Sequence, residues 1–265
     1  MEHRLAPLRD GARQAFSLIE MVVALAIVLI LASLATAAGW RVYESSSLAV
    51  SANNLRQLGA GMAGYFGDNE YTFWKYREWV SGEGVQWWFG LEPTDSFGRN
   101  EGERLLRASE GPLGPYMPSA LRPDPSFSFT GKAFKPKFAH GYIGIGYNIH
   151  LADRDSRSWA GWSGYGDPMT YWQLEDPSKT VVFATSAQVN TFQPPASGSN
   201  PMIEEFYGID ENEVTIHGRH GWRAMVVFAS GNVGFLELDE STLDSRAPKA
   251  SIGRFAPRGN AKYLK

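Results

Sequence analysis

The sequence predicts an α+β protein: a long amino-terminal helix, membrane-spanning in its first half and amphipathic in its second, packed on a carboxyl-terminal antiparallel β-sheet. Three observations predict it. Residues 21–40 carry no charge, apolar residues recur at helical spacing from Leu48 to Phe66, and two apolar, valine-containing runs flank Ser230-Gly231-Asn232. With 265 residues the chain can bury a sizeable core. Its 25 basic and 28 acidic side chains leave a net charge of -3, which excludes a field-driven nucleic-acid binder. The absence of cysteine excludes a disulfide framework, thiolate zinc sites, iron–sulfur clusters and a cysteine nucleophile.

The first element is a polar leader, residues 1–15, with Arg4, Arg9 and Arg13. The apolar stretch that follows is read as a membrane helix over residues 16–40. At 1.5 Å per residue its uncharged part covers a hydrocarbon core of about 30 Å. The arginines hold the leader on the cytoplasmic side and place the body beyond the membrane. Glu20 interrupts this pattern just inside the apolar stretch, where an ionised carboxylate costs about 1 to 3 kcal/mol depending on depth. It is either solvated at headgroup level or met by a cation.

The run Ala15-Phe16-Ser17-Leu18-Ile19-Glu20, with its apolar continuation, resembles the amino terminus of type IV prepilins and type II secretion pseudopilins. The family usually has Gly where Ala15 stands and Thr where Ser17 stands. The resemblance implies a pilin-like fold, cleavage by prepilin peptidase between Ala15 and Phe16, and methylation of Phe16. It also implies that Glu20 pairs with the amino terminus of a neighbouring subunit. The partners it implies are copies of the chain, other pilin-like subunits, the peptidase, an inner-membrane assembly platform, and lipid before assembly. The implied location is the bacterial inner membrane, single-pass with a cytoplasmic amino terminus and a periplasmic or extracellular body, and then a filament. A competing reading takes Ala35-Thr36-Ala37 as an ordinary signal-peptidase site, which would release a soluble protein. Glu83, Glu92 and Asp95 near Trp87 and Trp88 would then point to a carbohydrate-binding protein or a glycosidase, although sequence spacing alone does not establish a catalytic pair.

Beyond the membrane segment, residues 41–67 continue the helix. Leu48, Ala52, Leu55, Leu58, Met62 and Phe66 form one apolar face, predicting a helix from about Ser17 to Phe66 that is roughly 75 Å long. Asn54, Arg56 and Gln57 fall off that face and read as solvated or as packed on a neighbouring subunit. Gly59, Gly61 and Gly64 each weaken the helix by about 1 kcal/mol, and termination is expected near Gly67-Asp68. The segment SANNLRQLGAGMAGYFGDNE also resembles a bacterial subset of prepilin-type proteins.

Residues 68–179 read as a loop-rich insertion, with a helical piece over Glu101 to Ser109 and a strand within 141–151. Residues 180–240 hold the predicted sheet, with strands at 180–187, 223–229 and 232–238. The last two form a tight hairpin whose turn needs the backbone freedom of Gly231. The run RHGWRAMVVFASGNVGFL resembles the ending of the same prepilin-type subset. Residues 241–265 read as a mobile tail.

His217 and His220 form an H-x-x-H pair without a clear third ligand, which zinc requires. Asp239, Glu240 and Asp244 are weak calcium candidates outside any regular calcium loop. No cofactor is otherwise expected. The sequence holds no G-x-S-x-G, P-loop, H-E-x-x-H, or G-x-G-x-x-G opening a helix, so the chain reads as structural rather than enzymatic.

Overall fold

A computed structural model describes residues 17–117, 121, 123–124, 126–127, 134–139, 144–153 and 166–265, with the side chains of 37–41, 43 and 44 set aside. The chain divides into two compact units, Met1–Ser45 and Ser46–Lys265. Helix α1, Leu18–Asp68, contributes to both. In the first unit every side chain from Leu18 to Thr36 is exposed, and this stretch is long and apolar enough to cross a membrane.

In the second unit the chain forms β1 (Arg77–Val80), β2 (Gly84–Trp87), β3 (Gly90–Pro93), β4 (Phe134–Lys135) and β5 (Ile145–Asn148). A short helix α2 (Ile149–Ala152) leads on to β6 (Val181–Thr185), β7 (Gln188–Asn190), β8 (Met202–Glu204) and β9 (Gly208–Ile209). The remaining strands are β10 (Ile216–His217), β11 (Arg223–Phe228), β12 (Val233–Glu237) and β13 (Ile252–Gly253). Among the described residues the largest sheet has the order β12-β11-β6-β5-β9. Its three predicted strands are neighbours, with Arg223 opposite Glu237 and Val226 opposite Ala184. The sheet is mixed rather than antiparallel, because β5 and β9 run parallel. The hairpin turn closes with the Phe228 amide donating to the Asn232 carbonyl at 2.9 Å, and Gly231 takes φ 85° there.

This sheet lies against the second stretch of α1. Leu55, Leu58, Met62 and Phe66 share one core with Val182, Phe183, Met225 and Val227. The helix glycines serve packing here. A Cβ on Gly59 would sit 3.2 Å from the Gly231 carbonyl oxygen, and one on Gly64 would sit 3.1 Å from the Tyr116 ring. The helix therefore runs through these positions because bare backbone lets neighbours approach.

Several expectations are corrected. Leu48 is 36% exposed, and the buried face begins instead with Ser47 and Ser51, with Ala52 half-buried beside them. Asn54 and Gln57 are buried in their own chain's body rather than solvated, while Arg56 is exposed. Residues 101–109 form turns and a bridge, with a single 3-10 turn at Ala108–Glu110, and Arg104 is drawn to the buried Glu92 twelve residues earlier. The described part of 68–179 is structural: Trp74, Trp88, Leu113, Phe138 and Tyr147 from it belong to the main core. Nor is 241–265 a free tail. Strand β13 pairs with β10, Phe255 and Leu264 are buried, and the Val181 amide donates to the Tyr263 carbonyl at 2.7 Å.

Candidate functional site

At the amino terminus Ser17 caps α1. Its hydroxyl accepts the Glu20 amide at 3.3 Å, and the Glu20 carboxylate in return accepts the Ser17 amide at 2.8 Å and hydroxyl at 2.9 Å. This is a reciprocal capping box, and it satisfies backbone donors that a helix start otherwise leaves open. Both bonds from Ser17 go to Oε2, and among the described residues Oε1 carries no hydrogen bond. Farther along, the Ser33 and Thr36 hydroxyls bond back to the carbonyls of Ile30 and Ala32. They turn inward on the helix, so Glu20 is the one ionisable group on an otherwise aliphatic surface between Leu18 and Thr36. Ala15 and Phe16 lie outside the described residues.

A profile described as Prokaryotic N-terminal methylation motif matches residues 11–36. The chain carries a prepilin-type signal. The match spans the leader end, the capping box and the apolar stretch, and it stops where that stretch ends. No curated protein and no solved structure matches the chain.

The capping box is legible in the sequence as Ser17-x-x-Glu20 ahead of an apolar run. What sequence reasoning could not reach is a polar latch on the buried face of α1. The Ser51 hydroxyl donates to Asp124 at 2.7 Å, and Asp124 is ion-paired with Arg219 at 2.9 Å, both side chains almost fully buried. Burial pulls the Arg219 guanidinium down to about 10, against the opposing pull of Asp124.

The remaining candidates have local structural partners. His217 is buried edge-on to Phe127, and burial drives its pKa well below the ordinary value. His220 sits edge-on to Phe235. Asp239 caps the 3-10 turn Glu240–Thr242 through the Ser241 amide, and Asp244 is clamped by Arg246 at 2.6 Å. Among the described residues no group of three or more His, Asp or Glu is placed to hold a metal ion. Glu92 accepts from Arg104, Trp87 and Ser96, and Asp95 lies 3.9 Å from Arg99. Trp88 is a core residue donating to the Tyr207 carbonyl at 2.6 Å.

Proposed function

We propose that the protein is a prepilin-type structural subunit. The observation that carries this reading is the methylation-motif match over 11–36, laid on an apolar helix with Glu20 as its ionisable exception. On this reading prepilin peptidase cuts between Ala15 and Phe16 and the new Phe16 amine is methylated. The apolar helix then holds the subunit in the bacterial inner membrane, with its body periplasmic or extracellular. From there an inner-membrane assembly platform moves it into a type IV pilus-like or type II secretion pseudopilus filament with copies of itself and other pilin-like subunits. The reading calls for no cofactor.

The chemistry of Glu20 supports it. An ionised carboxylate offers about four acceptor positions, and Ser17 uses one oxygen. The other can take the charged amine of an incoming subunit without dismantling the helix cap. Pairing the two charges offsets the cost of keeping either one in an apolar bundle, and it fixes the axial register between neighbours.

Intact mass and amino-terminal sequencing of protein from its host envelope test the processing step. A start at methylated Phe16 is expected, and a start at Ala38 would overturn the reading in favour of a secreted soluble protein. Glu20→Val should enter the membrane and fail to join filaments. Ser17→Ala, which loses the cap at about 1 kcal/mol but keeps the carboxylate, should still assemble. Normal incorporation of Glu20→Val would remove the pairing role.

A further inference from the structure

Where α1 ends, two consecutive non-glycine residues are left-handed, Glu70 at φ 52° and Tyr71 at φ 55°. Such conformations are disfavoured for side chains with a Cβ and persist where the surroundings enforce them. Here a bridge between Thr72 and Thr170 holds them, with the Tyr171 amide donating to the Tyr71 carbonyl at 2.8 Å. The product is an exposed aromatic lip. The Trp172 ring lies 5.0 Å from Tyr71 and 5.3 Å from Tyr171, over a base formed by Phe66. Trp172 is 71% exposed and Tyr71 45%.

Beside the lip opens a cleft of about 450 Å³ whose walls include Asp68, Glu70, Thr72, Glu78 and Gln86. Tyr65, Phe73, Trp74, Pro112 and Pro168 also line it, and among the described residues no Leu, Ile, Val or Met joins them. Carboxylates, amides and a hydroxyl are the groups that bind sugar hydroxyls, and the aromatic rings and the two prolines suit the C–H faces of a pyranose. Lys75, the one basic side chain in the walls among the described residues, is already paired with Glu78 at 2.7 Å, so the rim disfavours acidic sugars. Exposed indole faces in turn suit the flat C–H faces of β-linked pyranose rings.

We propose that this lip and cleft bind a neutral β-linked oligosaccharide, one ring stacked on Trp172 and its neighbour hydrogen-bonded by Glu70, Asp68 and Gln86. Its residues all come from the second unit of a single chain.

The test uses the full-length protein in a detergent without a sugar headgroup, titrated with cellohexaose, chitohexaose and xylohexaose by calorimetry and tryptophan fluorescence. Saturable binding to at least one is expected, weakened about tenfold or more by Trp172→Ala and weakened also by Glu70→Gln. Trp79→Ala, which removes another exposed indole, should bind as the native chain does. Because Trp172 is exposed, its variant should keep the native melting temperature. The proposal is overturned if none of the three binds up to about 10 mM, if Trp172→Ala binds undiminished, or if oligogalacturonate binds more tightly than the neutral sugars. It is equally overturned if Trp172→Ala abolishes self-association of a protein that binds no glycan, since the lip would then join copies of the chain.

Discussion

From Leu18 to Thr36 helix α1 shows aliphatic side chains all the way round. From Ser51 to Phe66 the same helix exposes Asn53, Arg56 and Ala60 on one side and buries Leu55, Leu58 and Met62 on the other. The second stretch finds its solvent and its core within one chain. The first finds neither, since a helix apolar on every face is stable only among lipid tails or other helices. One continuous helix thus obeys two sets of rules. The carboxylates divide the same way: Glu20 sits on a bare aliphatic surface with one oxygen open, while Asp124, packed against the second stretch, is satisfied by Ser51 and Arg219.

The sharpest way to break this contrast is Asp124→Ala. It should cost the body about 3 to 5 kcal/mol, because it leaves the buried Arg219 charge unpaired, as read by urea unfolding followed through tryptophan fluorescence. A loss under about 1 kcal/mol would mean that the latch does not hold the helix. Next, Leu58→Ala should cost about 4 kcal/mol, while Leu25→Ala, in the exposed apolar stretch, should change body stability by less than about 0.5 kcal/mol. Equal losses would erase the distinction between the two stretches.

A third prediction concerns Glu205, a fully buried acid whose pKa burial pushes up to about 7 from 4.5. Between those values the folded body keeps a proton that the unfolded chain has released. Stability should therefore fall as pH rises from 4.5 through about 7, by about 3 kcal/mol in total. Glu205→Gln should flatten that fall in pH-dependent urea midpoints. An unchanged slope would assign the pH dependence to other groups.

Legibility in the sequence followed locality. The helix ends, the hairpin about Gly231 and the prepilin-type signal are written in neighbouring residues, and periodicity and turn chemistry were enough to find them. Ser51, Asn54 and Gln57 were not readable as buried, because on a helix surface polar residues look solvated until a distant partner covers them. The partner of Ser51 is 73 residues away. The parallel pairing of β5 with β9 and the docking of residues 241–265 failed for the same reason, since composition alone made that last segment look free. Tyr71 and Trp172 likewise meet only through the bridge between Thr72 and Thr170.

The docking of the last residues bears on how this body is made. Asn148 donates its amide to the carbonyls of both Val181 and Leu264, and Tyr263 supplies the acceptor for the start of β6. A ribosome builds β5 and β6 long before it reaches Tyr263. Until then the start of β6 lacks its acceptor, and the apolar pocket that receives Leu264 stands open. Residues 261–264 thus close this part of the body, and a nascent chain stalled at Lys249 would present an unfinished surface to chaperones and proteases.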